Sequence, residues 1–119
     1  MWTKELTKKE FDCKHTGINR MKPEFMAKLQ ELRLRYGKPM KIVSGYRDAT
    51  HPEERKKPVP GQHFNGVAVD VGCFSDEAYI IVKLAFELGF TGIGISQKNG
   101  LPRFIHLDMR TTTPVIYSY

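Results

Sequence analysis

The feature that most constrains this fold is a strictly alternating segment, Gly66 to Cys73, which reads GVAVDVGC. Successive side chains of a β-strand point to opposite faces, so the three valines and the cysteine share one face. The opposite face carries Asp70 between two small residues, Ala68 and Gly72. This segment therefore predicts a strand that packs on one side and turns a carboxylate towards open space on the other.

A second segment, Arg103 to Met109, follows the same rule with the sequence RFIHLDM. Its alternation places His106 and Asp108 on one face and the apolar side chains on the other. If the two strands pair with these faces aligned, Asp70, His106 and Asp108 line one cleft.

His63 lies shortly before the first strand and can reach the face that carries Asp70, which supplies a third ligand. Two imidazoles and one carboxylate are the ligand set of a catalytic zinc ion, which keeps a further position for water. The alternative is a hydrogen-bonded surface histidine and a solvated aspartate. Spacing alone leaves both interpretations open.

The remaining pattern predicts an α+β fold, a small antiparallel sheet with two main helices. Helical spacing follows Pro23, which suits a first helical position, and ends before Gly37. Ser75 is a predicted cap for the second helix. Three prolines and many charges make residues 48–65 a long loop without regular structure for most of its length. The predicted elements are helices over 23–36 and 76–88 and strands over 40–43, 66–73, 92–96 and 103–109.

Composition limits the classes of protein that the chain can represent. Its 119 residues with 40% apolar content predict one domain over residues 1–119. Apolar stretches fall short of the roughly 20 residues of a membrane span, and the charged N-terminus lacks the pattern of a signal peptide. The net charge of +6 favours adsorption to a polyanion, but the basic residues are scattered and form no nucleic-acid recognition motif. We therefore expect no nucleic-acid partner and no membrane insertion.

Four segments occur in an order that resembles the D-alanyl-D-alanine carboxypeptidase family of zinc peptidases. They are SGYR at 44–47, HFNGVAVD at 63–70, GIGI at 92–95 and FIHLD at 104–108. The family includes phage endolysins and peptidoglycan endopeptidases, and it shares its fold with vancomycin-resistance dipeptidases and the hedgehog signalling domain. The resemblance spans about residues 20 to 119, and its HxxGxAxD stretch is the most specific part.

The resemblance implies that His63, Asp70 and His106 hold a zinc ion. It also implies that Arg47 binds a substrate carboxylate or carbonyl oxygen, since a guanidinium offers paired donors. Ser44 then helps to shape that pocket. The alternative for Arg47 is a turn residue that pairs with a nearby acid.

The sequence departs from the family pattern at one position. Many members have an acidic general base three residues before the last histidine ligand, where this chain has Arg103. Asp108 is the predicted substitute, because it faces the same side as His106. It can instead orient the ligand imidazole or pair with an arginine.

The implied function is zinc-dependent hydrolysis of amide bonds in peptidoglycan stem peptides by a monomer, either a carboxypeptidase or an endopeptidase. A phage lysin, cytoplasmic until released or virion-associated, fits this pattern, and a catalytically inactive zinc-bearing binding module is the alternative. His51 is a candidate substrate contact. The aromatic residues Trp2, Tyr117 and Tyr119 are expected to close the ends of the domain.

Overall fold

A computed structural model describes residues 1–58 and 61–119. Residues 59 and 60, which fall in the predicted long loop, lie outside the described residues. The fold is α+β, as predicted. Its elements in chain order are α1 (Lys8–Phe11), α2 (Pro23–Tyr36), β1 (Lys41–Ser44), α3 (Pro52–Arg55), β2 (Ala68–Gly72), α4 (Asp76–Glu87), β3 (Gly92–Ser96), β4 (Phe104–Asp108) and β5 (Val115–Ser118).

The two main helices begin and end close to the predicted positions. α2 starts at Pro23 and stops at Gly37, whose positive φ of 79° gives the left-handed turn that ends many helices. α4 follows Ser75, but the Ser75 side chain makes no capping hydrogen bond. Ser75 therefore occupies the predicted N-cap position, but its φ of 60° is outside the usual capping conformation and its side chain does not cap the helix.

The strands form one sheet in the order β1-β2-β4-β3-β5. The first four strands pair antiparallel, as predicted, while β5 pairs parallel to β3 and makes the sheet mixed. β4 ends beside the start of β3, and the chain then crosses to the other edge of β3. β5 therefore begins opposite Gly92 and runs in the same direction as β3. The sequence analysis did not predict β5.

The valine face of β2 packs into one hydrophobic core together with both main helices. Val69 and Val71 are fully buried there, and α2 contributes Phe25 and Leu29. Burial of such side chains stabilises the fold by about 1.5–3 kcal/mol each. The opposite face of the sheet carries the polar residues and stays open at its centre.

Two short helices, α1 and α3, occur where the sequence analysis predicted none. α3 lies inside the proline-rich segment and begins at Pro52, directly after His51. The His51 Nδ1 accepts a hydrogen bond from the Glu53 backbone N–H at 3.1 Å, which caps this helix.

Among the described residues, no helix is long and apolar enough to cross a membrane.

Candidate metal centre

One row of paired residues crosses the open face of the sheet from edge to edge. Asp70 in β2 pairs with Ser44 on one side and His106 on the other, and the row continues through Gly94 to Tyr117. Every strand contributes one residue. This row, together with Asp108 in the neighbouring row, forms the polar face predicted from strand alternation.

His63, Asp70 and His106 form a buried cluster that we call the metal trio. Their candidate ligand atoms all lie within 4.8 Å of one another. Asp70 Oδ1 lies 3.3 Å from His63 Nε2 and 3.1 Å from His106 Nδ1. The trio matches the three ligands that the family resemblance implied.

His63 reaches the trio from the segment before β2. Its Nδ1 lies 2.7 Å from the Gly45 carbonyl oxygen, so Nδ1 carries the proton and donates it there. Nε2 is then left with a lone pair that faces Asp70. Gly66 makes the following turn with a φ of 77°, and a side chain at this position would collide with the Arg20 carbonyl oxygen.

His106 is held the other way round. Its Nε2 lies 2.7 Å from Asp108 Oδ2, so this nitrogen donates to the carboxylate and Nδ1 presents its lone pair to the trio. Asp108 is in turn paired with Arg110, whose Nε and Nη2 donate to its two oxygens at 3.0 and 2.6 Å. Asp108 has 0% exposure. These contacts favour the orienting role for Asp108 over the general-base role.

The donor set fits a divalent cation. With one proton on each ring, two imidazole lone pairs face the same carboxylate oxygen, and positive charge placed between these three electron-rich atoms relieves their repulsion. Two nitrogens and one oxygen suit zinc in particular. His63, Asp70 and His106 are the residues that would hold it.

Burial and hydrogen bonding move the pKa values of the trio in different directions. Burial lowers the pKa of His63 and keeps the ring neutral. Burial also acts to lower the pKa of His106, but the negative charges of Asp108 and Asp70 beside the ring outweigh that effect and raise it. For Asp70, burial alone would raise the pKa, yet the two histidines lower it well below the ordinary value, so this carboxylate is ionised.

Arg47 lies beside the trio and contacts it directly. Its Nη2 lies 3.2 Å from Asp70 Oδ2, and its Nε donates to Ser44 Oγ at 3.2 Å. The predicted pairing of Arg47 with a nearby acid is therefore present. Arg47 also lines the open cleft.

The cleft above the trio has a volume of about 460 Å³. Cations and phenols dominate the part of its lining that the structure describes, and Glu53 is the acidic member. His63 and His106 form part of its floor. The other described lining residues are Arg47, Lys57, Pro58, Gly61, Gln62, Arg110, Tyr117 and Tyr119.

Two residues considered in the sequence analysis are not among the described lining residues of this cleft. His51 caps α3 and stacks against His15 with ring centroids 6.2 Å apart, and the described lining residues do not include it. The predicted substrate contact by His51 therefore has no support in this geometry. Arg103 contacts Asn99 and lies over the Phe74 ring at 5.3 Å.

Sequence reasoning missed three residues of the site. Arg110 follows Asp108 by two positions, and this spacing in an extended segment was the signal that could have revealed the pair. Tyr117 and Tyr119 lie at the cleft rather than merely closing the domain, because β5 brings them beside β3. Trp2 does pack at a terminus, against Phe11 with ring centroids 5.6 Å apart.

Comparison with known proteins agrees with this geometry. A family model described as Peptidase M15 matches residues 2–108. No curated protein matches the chain. The family model covers all three residues of the metal trio, and the structure brings them together as one donor set. The chain belongs to the Peptidase M15 family, a family of zinc-dependent peptidases of the D-alanyl-D-alanine carboxypeptidase type.

Proposed function

We propose that this protein is a zinc-dependent hydrolase that cleaves amide bonds in the stem peptides of bacterial peptidoglycan. The observation that carries the proposal is the buried metal trio at the floor of an open, cation-lined cleft. A zinc ion bound there would polarise a scissile carbonyl and activate a water molecule. A phage lysin released at the cell wall, or carried in a virion, is the biological setting that we propose.

The residues around the trio bind and orient. Arg47 and Lys57 present positive charge to the cleft, which suits the carboxylate of a peptide end or of an acidic stem residue. Arg47 also fixes Asp70, and Asp108 fixes the tautomer of His106 through its Nε2 proton. The catalytic assignment of Asp108 thus becomes a positioning role in this proposal.

The cleft also has features that a binding module would share. Arg103, at the family's usual acidic position, lies over Phe74, and Asp108 is fully buried. The acid in the described lining is Glu53, an exposed residue of α3 paired with Lys56 at 3.4 Å. A zinc-bearing module that binds wall peptides without cutting them is therefore the second candidate.

One experiment separates these candidates. Zinc content and release of muropeptides from purified peptidoglycan are measured for the wild type, His106→Ala, Asp70→Asn and the exposed control His15→Ala. The hydrolase predicts stoichiometric zinc and fragment release in the wild type and in His15→Ala. Both variants of the trio are expected to lose zinc and release together, because each removes a ligand.

The outcomes have distinct meanings. Zinc without release from any wall type would favour the binding module. Absence of bound metal in the folded wild type would contradict both candidates. Circular dichroism of each variant checks that the loss of metal does not reflect loss of the fold.

A further inference from the structure

β5 places an aromatic side chain beside the metal trio. Tyr117 pairs in register with Gly94, and its ring centroid lies 5.7 Å from that of His106. Its ring and hydroxyl line the same cleft as His63. The family model stops at residue 108, so nothing about β5 is carried over from the family.

Gly94 allows this approach. A side chain at this position would place its Cβ 2.7 Å from Tyr117 Cζ and 2.9 Å from its Oη, which is closer than real side chains come. The Tyr117 ring therefore lies over the bare backbone of β3, level with the trio. The glycine-rich strand thus leaves room for an aromatic wall.

The wall continues away from the trio. The rings of Tyr117 and Tyr119 have centroids 5.5 Å apart, and their hydroxyl oxygens lie 3.5 Å apart. Tyr119 also packs edge-on against Phe104 at 4.9 Å, which supports it from the sheet. Tyr117 thus packs between His106 and Tyr119, and Tyr119 packs between Tyr117 and Phe104. Both phenols line the cleft.

The cleft is chemically asymmetric as a result. Arg47 lies at the β1 side of the trio, where it bonds Ser44, and Tyr117 lies at the β5 side. A peptide that sends its carboxylate towards Arg47 and crosses the trio towards β5 would lay its next residue against the phenols. Flat aromatic faces favour small apolar groups, and a phenol hydroxyl can donate to a peptide carbonyl.

We propose that Tyr117, supported by Tyr119, is a specificity-determining residue that packs against the small apolar side chain of the peptide residue next to the scissile amide. The inference rests on the proposed function, because it takes a peptide as the ligand of the cleft. It makes Tyr117 a wall of the binding site with no part in holding the metal.

The experiment measures binding and turnover separately. The probe is an N-acetylated peptide that ends in D-alanyl-D-alanine, titrated by calorimetry into zinc-loaded wild type, Tyr117→Ala and Tyr117→Phe. Tyr79→Ala is the matched control, since Tyr79 is a 75% exposed tyrosine on α4 away from the cleft. Zinc content and kcat/KM for the same peptide are recorded for each protein.

Loss of the ring should weaken binding, so Tyr117→Ala is expected to raise the Kd by about three- to tenfold at unchanged zinc content. Tyr117→Phe retains the ring and should keep most of the affinity, while Tyr79→Ala should match the wild type.

Wild-type affinity in Tyr117→Ala would overturn the inference and leave the proposed hydrolase function unaffected. Binding of the peptide without turnover, with the same loss in Tyr117→Ala, would uphold the wall and overturn the proposed hydrolase. A zinc-loaded wild type that binds no peptide would overturn both.

Discussion

The imidazoles of the metal trio each have one nitrogen committed to an outer partner. His63 uses Nδ1 to bond the Gly45 carbonyl, whereas His106 uses Nε2 to bond Asp108. The two rings therefore offer different nitrogens to the same point in space. Outer partners of this kind fix both the tautomer and the orientation of a ligand ring.

Asp108→Asn tests the positioning role of this carboxylate. The amide keeps the shape but removes the charge that holds the His106 proton and pairs with Arg110. Zinc affinity is expected to fall by about 10- to 100-fold, as measured by competition with a chelator. A general base would behave differently, because its loss lowers kcat and leaves zinc affinity unchanged.

At the scale of residues the metal trio could be predicted, whereas the pairings of Arg47 and Asp108 could be predicted only as one of two alternatives each. Strand alternation placed Asp70 and His106 each on the polar face of its own strand, since the period of two follows from backbone geometry, and the pairing of β2 with β4 aligns those faces. The contact between Arg47 and Asp70 depends on the bulge after Ile42 and on a rotamer. Neither the bulge nor the rotamer can be predicted from the local sequence.

Among the elements, the two long helices and four of the strands follow from periodicity and end signals. α3 and β5 do not. α3 has four residues and is stabilised by the His51 cap, so its pattern is too short to read. β5 alternates half-buried and exposed residues at the sheet edge. Its parallel pairing with β3 is determined by tertiary contacts, which a local sequence pattern does not contain.

The segment around α3 depends on one buried carboxylate. Glu54, with a side chain 2% exposed, bonds Lys57 Nζ at 2.8 Å and accepts from the Gly61 backbone N–H at 3.0 Å. It thereby ties the end of α3 to the residue that precedes the His63 turn. Burial acts to raise the pKa of Glu54, but these two bonds outweigh it and lower the pKa from its ordinary value of 4.5.

A lowered pKa in the folded state means that the Glu54 carboxylate stabilises the protein above the unfolded-state value of 4.5. That contribution is lost as the pH falls through the lower folded-state pKa. Glu54→Gln should therefore reduce the free energy of unfolding by about 1–3 kcal/mol at neutral pH, and the difference should shrink in acid. Urea unfolding of the wild type and Glu54→Gln, repeated from neutral pH down to pH values below the unfolded-state pKa, measures the loss of unfolding free energy and its dependence on pH.

Glu53→Gln is the matched control for this prediction. Glu53 precedes Glu54 in α3, but its side chain is 54% exposed and makes one pair with Lys56. Exposed pairs of this kind contribute little to stability. If the two variants lose the same stability, or if the cost of Glu54→Gln does not change with pH, the role assigned to Glu54 is wrong.

The whole molecule carries a net charge of +6 on a small surface. The cleft shares this sign, because Arg47, Lys57 and Arg110 line it. Long-range attraction to an anionic polymer therefore acts in the same direction as local recognition of a carboxylate. Both effects suit a substrate embedded in an anionic wall.

Salt separates the two effects. The Debye length shrinks from about 10 Å at 0.1 M to about 3 Å at 1 M ionic strength, so attraction to the wall should fall steeply across that range. We expect co-sedimentation with purified cell walls to drop steeply, while hydrolysis of the N-acetylated peptide that ends in D-alanyl-D-alanine changes much less. Retention on the walls that is independent of salt would show that charge does not drive adsorption.

β5 has a further consequence for engineering. It is an edge strand, it pairs with β3, and the metal trio lies on other parts of the chain. A library of replacements over Val115–Ser118 therefore alters one wall of the cleft while the ligands keep their backbone partners. We expect such replacements to change peptide preference more than metal loading, with Tyr117 as the position where the two meet because its ring packs against His106.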